Sequence, residues 1–351
     1  MVVLSVVGAK LSDLRHSLAK TPFWQWMSWI TGHQLDNFGR WLMRRRPRLG
    51  AIYASWWTPG PPRIGVQPGW LFAGELYPRL LWLPRRRDVF WKAAQQRGLT
   101  VPLSVPWYGG TTVEVTLGTD NSLCLYVCGS YEPNEFTFLD GVLKAGMTFV
   151  DVGANDGLYT LFAAGKVGDA GRVVSVEPSS RERSHLQHNL ERNAIGNVTV
   201  VAAALGAAGG VADLKVADGH HTGHNTLGDF AHGDVAIAGS ERVEVETLDT
   251  LAGRLGLSRI DVIKIDVEGA EGSVLAGARQ TLAAWRPILL LEVNDVALRA
   301  QGNSADALLA LLRSELKYEI LAYSDSTGRP EPWSPGQPIS SNIVALPAER
   351  R

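Results

Sequence analysis

The chain has 351 residues, 45% of them hydrophobic, and a formal net charge of −1 at pH 7. A chain of this length can bury a complete α/β core and leaves room for about one domain plus an extension. The near-zero charge argues against a nucleic-acid-binding protein, because no basic excess is present to neutralise phosphates.

Apolar runs and cysteines bear on the cellular location. No apolar run approaches the roughly twenty residues of a membrane-spanning helix, and residues 1–9 lack the charged start of a secretion signal. Cys124 and Cys128 are the only cysteines. The pattern at 123–128 predicts a strand that would hold them roughly 13 Å apart, too far for a disulfide. Reduced thiols are typical of an intracellular protein, so we expect a cytoplasmic location, with peripheral membrane contact left open.

Residues 1–107 differ in composition from the rest of the chain. Ten of the twelve tryptophans lie there, together with two clusters of three arginines. This bias predicts a Trp/Arg-rich N-terminal extension, followed by a main domain at 108–351. Residues 23–30 and 41–46 could form an amphipathic helix pair on a membrane interface or a partner. The alternative, favoured by prolines that interrupt long helices, is that the tryptophans pack on the main domain as a lid or dimer element.

Regular patterns begin after residue 101. Alternating apolar residues at 111–116 and 122–127 predict a β-hairpin. Residues 131–135 then begin a helix that has a proline near its start. Glu132 and Glu135 either complement the dipole of this helix or close over a ligand site.

The most informative segment is residues 149–157, FVDVGANDG, in which a strand enters a turn with two glycines and a helix follows. Gly153 and Gly157 permit positive backbone angles and the close approach of a ligand. The dinucleotide fingerprint G-x-G-x-x-G is not present, and Asp151 and Asp156 would repel a diphosphate. S-adenosylmethionine carries an ammonium and a sulfonium group and no phosphate, so this turn suits it better than NAD. The alternative is a tight turn without a ligand.

Strands and helices alternate after this turn. A strand at 172–177 ends in Glu177, twenty residues after Gly157. This is the spacing at which a carboxylate at a strand end accepts hydrogen bonds from the ribose hydroxyls of a bound nucleoside. A helix at 181–193 and a strand at 198–204 follow, so the segment predicts the start of a doubly wound α/β sheet.

Four predicted strands end in acids, namely Asp151, Glu177, Asp266 and Glu292. In open α/β sheets ligands bind outside these strand ends. We expect Asp266 to act as a base, orient the methyl acceptor or hold a divalent ion, because the fourth strand adjoins the first where the strand order reverses. Lys264 points to the same face as Asp266, so a structural ion pair between them is the alternative.

Acidic and imidazole side chains near Asp266 complete the candidates. Glu268 is predicted in the first turn of the next helix and is a candidate acceptor-site acid, whereas the helix dipole accounts for Glu271. The loop at 218–225 contains three histidines that could supply a base, with His224 as the best choice. Their spacing matches no strong metal signature, so we assign no metal ligand here, and a solvent-exposed polar loop is the alternative.

Six ordered motifs make the chain resemble FkbM-type methyltransferases over roughly residues 108–346. The motifs are Asp151–Gly157 (DVGANDG), Val176–Pro178 (VEP), Asn197–Val198, Glu246–Asp249 (ETLD), Ile263–Glu271 (IKIDVEGAE) and Leu291–Val293 (LEV). The resemblance implies a class I methyltransferase fold, which is an α/β, Rossmann-like arrangement of a mostly parallel seven-stranded sheet with an antiparallel closing hairpin. We expect that hairpin at 318–323 and 341–346.

The resemblance also implies a donor and a set of ligand-binding residues. S-adenosylmethionine would be the methyl donor, and a hydroxyl oxygen the usual acceptor. Asp151, Gly153, Asn155 and Gly157 would line the methionine moiety, and Glu177 the ribose. The histidines of the loop at 218–225 depart from the family pattern. A resemblance of this kind does not name the acceptor.

We therefore expect an O-methyltransferase that acts on a sugar, glycan, glycolipid or secondary metabolite. The partner would be a small-molecule or glycan acceptor and not a nucleic acid, and a homo-oligomer is compatible with the extension. One alternative is an enzyme dependent on NAD or a nucleotide sugar, against which the missing third glycine argues. Another is an inactive scaffold whose Trp-rich extension binds a membrane or a protein.

Overall fold

A computed structural model describes residues 22–66, 82–230 and 236–349, with side chains described for 33–66, 86–230 and 236–349. The helices are α1 Pro22–Arg45, α2 Pro47–Ser55, α3 Trp82–Gln95, α4 Pro133–Val142, α5 Leu158–Val167, α6 Ser180–Arg192, α7 Leu248–Arg254, α8 Glu271–Ala276, α9 Arg279–Trp285, α10 Asp295–Ala300 and α11 Ala305–Ala310. The strands are β1 Val101–Pro106, β2 Thr112–Leu117, β3 Thr148–Val152, β4 Arg172–Val176, β5 Val198–Val201, β6 Ala204–Leu205, β7 Gly210–Ala217, β8 Ile237–Glu246, β9 Val262–Ile265, β10 Ile288–Glu292, β11 Tyr318–Tyr323, β12 Pro330–Pro332 and β13 Asn342–Pro347.

Within the described residues, the main sheet has eight strands in the order β12-β11-β13-β10-β9-β3-β4-β5. The five strands from β10 to β5 are parallel, and β13 lies antiparallel between β10 and β11. When the five parallel strands are renumbered 1 to 5 by their order in the chain, starting at β3, the sheet from β5 to β10 has the 3-2-1-4-5 order of a doubly wound fold. The antiparallel β13 is inserted between β10 and β11, the sixth strand of that fold. The class I methyltransferase arrangement and its antiparallel closing pair are therefore confirmed. The short strand β12 is added at the edge, within the linker of that pair.

Side chains alternate between the two faces of the sheet. Phe149 and Val262 belong to one hydrophobic cluster, and Val150 and Ile263, which directly follow them in sequence, belong to a second cluster on the other face. Parallel strands with helices on both faces are expected to be apolar throughout for this reason. A polar side chain in such a strand is then conspicuous, and Asp151 on β3 is one, with its side chain fully buried.

The N-terminal helices pack on the first of these clusters. Met43, Phe90 and Trp107 are buried in the same core as Phe149 of the central strand. Trp107 therefore packs on the main domain, as the second of the two alternatives for the tryptophans states. The predicted boundary between residues 107 and 108 falls within the antiparallel β1–β2 hairpin. The division into 1–107 and 108–351 stays a prediction.

Two predictions about the N-terminal half are wrong. Residues 23–30 and 41–45 lie in the single helix α1, Arg46 follows its end, and the helix pair is α1 with α2, which Pro47 starts. Side chains of residues 22–32 lie outside the described residues. β2 pairs with β1 and not with residues 122–127.

The segment Leu123–Cys128 is helical. A capping box between Thr119 and Ser122 starts this turn, and residues 124–127 are all buried, so their apolar pattern carries no strand period. Cys124 and Cys128 are therefore not on a strand, although both thiols are free as expected.

A three-stranded sheet, β6-β8-β7, lies beside the main sheet and carries the histidine loop. The loop after β7 is closed at its base by two backbone hydrogen bonds between Lys215 and Thr226, at 2.8 and 3.1 Å. The histidine at position 232 lies outside the described residues. None of the described helices is long and apolar enough to cross a membrane.

Candidate active site

A cavity of about 540 Å³ opens at the carboxyl ends of β3, β4, β9 and β10. This volume falls within the range of roughly 300–1,000 Å³ that is usual for small-molecule sites. Six of the eight candidate residues line it, namely Gly153, Asn155, Glu177, His224, Asp266 and Glu268. The cavity thus joins the proposed cofactor residues and the proposed catalytic residues in a single site.

The two glycines of the turn have different tasks. Gly153 has a φ of +80°, and a Cβ there would overlap the carbonyl oxygen of Asp266, so only glycine lets the end of β3 approach the end of β9. Gly157 has a φ of +90°, and a Cβ there would overlap Cδ1 of Leu186 in α6. Gly157 does not line the cavity. Packing against α6 therefore requires glycine here, and the contact of Gly157 with the methionine moiety stays a prediction.

Asp151 also lies outside the cavity lining, which corrects its predicted place. Its side chain is fully buried beneath the turn, where Oδ2 accepts a hydrogen bond of 2.6 Å from the Thr160 hydroxyl. Burial raises its pKa, and the neighbouring Lys264, its register partner on β9, lowers it again. Asp151 shares a face of the sheet with its register partner Lys264, which does line the cavity, but the carboxylate of Asp151 is held beneath the turn by Thr160.

Glu177 joins the second strand to the turn. Its carboxylate accepts hydrogen bonds from the backbone N–H of Asn155 at 2.8 Å and of Ser179 at 2.9 Å. Only 5% of Glu177 is exposed, and this burial raises its pKa to about 8. Asn155 has a φ of +48°, and its buried Oδ1 has no hydrogen-bond partner among the described residues. That oxygen can accept a hydrogen bond from a ligand.

Asp266 forms an ion pair, as the alternative from the strand spacing predicted. Nζ of Lys264 donates to Oδ2 of Asp266 at 2.9 Å, and it lies 4.7 Å from the centroid of the Tyr159 ring. Burial by itself lowers the pKa of Lys264, but Asp266, Asp151 and Glu132 together raise it above its ordinary value. The lysine is therefore charged, and it fixes the orientation of the Asp266 carboxylate.

His224 and Glu268 form a second polar pair in the cavity. Nδ1 of His224 lies 3.4 Å from Oε1 of Glu268, and Nε2 lies 3.8 Å from Oδ2 of Asp120. The contact with Glu268 raises the pKa of His224, while burial opposes it. Glu268 has a φ of +52° and precedes α8, so it does not lie in the first turn of that helix as predicted.

Only one of the three loop histidines points into the cavity. His221 contacts Oδ2 of Asp218 at 3.0 Å, and His220 contacts the carbonyl oxygen of Gly118 at 3.2 Å. Neither lines the cavity, whereas His224 does. The choice of His224 as the best candidate base thus agrees with its position.

Three carboxylates of the site are arranged so that they could hold a divalent cation. One oxygen each of Asp266, Glu268 and Glu292 lies within 4.8 Å of the others. Burial raises the pKa of Glu292 well above its ordinary value, and the charges of Asp266 and Glu268 raise it further. Like charges repel strongly in a buried site, so a cation would stabilise this group of carboxylates.

Several lining residues were not predicted as site residues. Glu132, which has a φ of +38°, accepts hydrogen bonds from the Tyr159 hydroxyl and, at 2.9 Å, from Nδ2 of Asn342. In the sequence, the only signal for Glu132 was the acidic segment at the start of α4. Ala203 to Leu205 and Leu214 form an apolar part of the wall. Small apolar residues at strand ends have the same pattern as core residues, so no sequence signal separates them.

Residues 151–320 match the family model described as methyltransferase FkbM domain. The chain is 36% identical over 88 residues to the 2-O-methyltransferase NoeI of Sinorhizobium fredii, a match that covers 25% of this chain and 35% of NoeI. It is 34% identical over 203 residues to the AMB antimetabolite synthetase AmbE of Pseudomonas aeruginosa, a match that covers 49% of this chain and 10% of AmbE.

One solved structure illustrates the similarity at the level of coordinates. The methyltransferase FkbM from Methylobacillus flagellatus aligns with 61% of this chain and 47% of its own chain, at 19% identity and a TM-score of 0.38. The chain spans about a third of NoeI and about a tenth of AmbE, the curated relatives that it matches.

Proposed function

The chain is a member of the FkbM methyltransferase family, and from this premise we propose that it is an S-adenosylmethionine-dependent O-methyltransferase. Its acceptor is a hydroxyl group of a sugar, glycan, glycolipid or secondary metabolite. The observation that carries this proposal is a single cavity with Glu177 and the Gly153 turn at one end and the His224–Glu268 pair at the other. A donor at the first end would direct its methyl group to an acceptor at the second.

The charge of the cavity supports a cationic cofactor. Among the described residues, eight acidic side chains line it, against the single lysine Lys264 and the single histidine His224. The acids are Asp120, Glu132, Asp156, Glu177, Glu182, Asp266, Glu268 and Glu292. Carboxylates attract the sulfonium and ammonium groups of S-adenosylmethionine and repel the diphosphate of NAD or a nucleotide sugar. This excess of acidic over basic side chains agrees with the argument from the sequence, which rested on two acids in the turn.

Methyl transfer by this site is a displacement at carbon. Bound S-adenosylmethionine would supply the methyl group: its carbon–sulfur bond would break with the electron pair left on sulfur as the acceptor oxygen bonds to the methyl carbon. The acceptor hydroxyl must lose its proton, and Nε2 of His224 is the proposed proton acceptor, since Glu268 lies against Nδ1 and orients the ring. Transfer requires the cavity walls to hold the acceptor oxygen about 3 Å from the methyl carbon of the donor.

Asp266 has a positioning role in this scheme. With Oδ2 occupied by Lys264, Oδ1 can accept a hydrogen bond from a second acceptor hydroxyl. The side chain is 26% exposed, so a ligand can reach it. We expect Asp266→Asn to lower turnover strongly while leaving cofactor affinity largely intact.

A divalent cation on Asp266, Glu268 and Glu292 is the finer variant of this proposal. A cation bound there would lower the pKa of an acceptor hydroxyl and would reduce the need for His224 as a base. Turnover before and after treatment with a chelator separates the two variants. Loss of turnover that Mg²⁺ restores favours the cation, and unchanged turnover favours His224.

The names of the relatives support the acceptor class. NoeI is named a 2-O-methyltransferase, which supports transfer to a hydroxyl oxygen. AmbE is named an antimetabolite synthetase, which supports a secondary-metabolite acceptor. The two names point to different acceptors, so the acceptor is proposed only as a class.

Calorimetry with S-adenosylhomocysteine tests the cofactor assignment. We expect clear binding, and we expect Glu177→Ala to weaken it by roughly 1.5–3 kcal/mol, the usual contribution of a hydrogen bond to a charged group. Because Glu177 has a pKa of about 8 and ribose hydroxyls donate to its charged form, binding near pH 7 should release a proton. Titrations in two buffers with different ionisation enthalpies measure this release, which Glu177→Gln should remove.

Two results would replace this proposal. Binding of NAD or a nucleotide sugar without binding of S-adenosylhomocysteine would indicate a different Rossmann-like enzyme. Binding of none of these ligands would leave the inactive scaffold as the remaining alternative.

A further inference from the structure

The first two helices leave a group of large apolar side chains exposed to solvent. Among the described residues, seven of the ten exposed large hydrophobic side chains lie between positions 35 and 64. Five of them, called the aromatic face here, are Phe38, Trp41, Leu49, Ile52 and Trp56, with exposed fractions from 49% to 71%. Single exposed apolar side chains are common on soluble proteins, but clusters of this kind mark contact surfaces.

The aromatic face is continuous across α1 and α2. The Phe38 ring stacks on Trp41 with centroids 6.1 Å apart, and it meets the edge of Tyr53 at 5.4 Å. Tyr53 in turn contacts the Trp56 ring at 5.4 Å. Tyr53 itself is buried, in the same core as Met43. The exposed rings are therefore anchored to the core of the protein.

Within residues 33–66, exposed arginines flank the members of the aromatic face in sequence. The exposed arginines are Arg40, Arg44, Arg45, Arg46 and Arg48. The only acid between residues 33 and 66 is Asp36, which is 7% exposed and pairs with Arg86 at 2.9 Å. The whole chain has a net charge of −1, so this basic excess is a local property. A surface of this charge complements anionic lipid headgroups.

We propose that the aromatic face and its arginines dock the protein on an anionic lipid surface. Tryptophans prefer the headgroup region, and an amphipathic helix with arginines at its polar edge lies in the plane of the membrane. Leu49 and Ile52 are exposed aliphatic side chains three residues apart on α2, so they lie on one side of that helix. They favour a lipid over a nucleic acid, which would use the rings for base stacking and gain nothing from aliphatic side chains. The proposal does not depend on the methyltransferase reaction.

Cosedimentation of the full chain with vesicles tests this inference. We expect binding to phosphatidylcholine vesicles that contain phosphatidylserine, and weaker binding to phosphatidylcholine alone. Trp41→Ser with Trp56→Ser should lower the partition coefficient about tenfold or more, because the apolar contact is lost. Arg44→Gln with Arg45→Gln should lower it about tenfold for the anionic vesicles only, with a smaller dependence on salt.

A matched control uses the same chemistry at another place on the surface. Val211→Ser with Ile237→Ser removes two exposed apolar side chains outside the first two helices and should leave vesicle binding unchanged. The inference is overturned if the wild-type protein does not bind anionic vesicles, or if the double tryptophan variant binds them as well as wild type. Preference of the wild type for duplex RNA, or a dimer that the tryptophan substitutions dissociate without any vesicle binding, also overturns it.

Discussion

Single side chains of the site derive their chemistry from their neighbours. His224 shares a loop with two other histidines, but it is the one that contacts Glu268, and this contact raises its pKa. Glu177 has a raised pKa because it is buried next to the turn. The pKa of both side chains is raised above its ordinary value. The consequences differ, because His224 must accept a proton in the reaction whereas Glu177 must lose one when the ligand binds.

The His224 assignment predicts a particular pH profile. Turnover requires neutral His224, so it should rise with pH through the pKa of that side chain, which lies above the ordinary value of about 6.5. Glu268→Gln removes the group that raises this pKa, so the rise should move to lower pH while the maximal rate falls. His224→Ala should lower kcat by about a hundredfold or more. Steady-state rates across pH measure the wild type and both variants.

The matched control for this profile is His221→Ala, in the same loop but outside the cavity lining. Its rate and pH profile should equal those of wild type. An unchanged profile in Glu268→Gln would contradict the pairing of His224 with Glu268.

Gly153 offers a prediction about stability. Gly153→Ala would place a Cβ on the carbonyl oxygen of Asp266 at a φ of +80°, so it should lower the free energy of unfolding by about 3 kcal/mol or more. Gly146 has a φ of +82° with no atom within 4 Å of a Cβ. Gly146→Ala carries only the backbone cost, about 1 kcal/mol. Urea denaturation measures both, and equal losses would show that the close approach is relieved without cost.

At the scale of secondary-structure elements, polar contacts fix the N-terminal helices to the main domain. Asp36 of α1 and Arg86 of α3 form a buried ion pair at 2.9 Å. Nη1 of Arg87 donates to the carbonyl oxygens of Tyr126 and Val127, in the helical turn that precedes α4. Leu123 and Cys124 of that turn line the cavity. The N-terminal helices thus connect to the wall of the site through one short segment.

The Asp36–Arg86 pair should matter for stability because it is buried. Asp36→Ala removes a charged hydrogen-bond partner from the buried Arg86 and should lower the free energy of unfolding by about 1.5–3 kcal/mol. Glu315→Ala is the control, since the Arg279–Glu315 pair has the same kind of contact at 3.0 Å but is more than half exposed. That change should cost less than about 1 kcal/mol. Similar losses for both variants in urea denaturation would contradict the role given to burial.

The whole molecule contains several carboxyl groups that folding makes harder to ionise. Burial raises the pKa of Glu177 to about 8 and that of Glu271 to about 7. In the unfolded chain these groups ionise near pH 4.3. The folded state therefore holds more protons than the unfolded state between these limits. Their contribution to the free energy of unfolding is present at low pH and is lost as the pH rises toward 8.

This linkage predicts the direction of a pH effect on the protein without ligand. The free energy of unfolding should be lower at pH 8 than at pH 6, and Glu271→Gln should reduce that difference, because its side chain no longer titrates. Urea denaturation at the two pH values measures it. A difference that is unchanged in Glu271→Gln would contradict the raised pKa.

Much of the parallel core could be predicted from the sequence. β3, β4, β9 and β10 are short apolar runs that end at turns, and α5 and α6 have clear boundaries, so their positions were expected within a few residues. Residues 122–127 were mistaken for a strand because a short apolar segment that is buried on every side has no period to distinguish a helix from a strand. The capping box at Thr119 was the missed local signal.

The sequence by itself determined the order of strands, the glycine turn, and the presence of Glu177 and Asp266 at strand ends. Those features depend on local pattern and on chain topology, which neighbouring residues encode. Only the tertiary structure decided that Asp151 is buried against Thr160, that Lys264 occupies one oxygen of Asp266, and that His224 meets Glu268. These contacts join residues from different strands and loops, and side-chain direction, burial and charge at such a meeting point are set by packing.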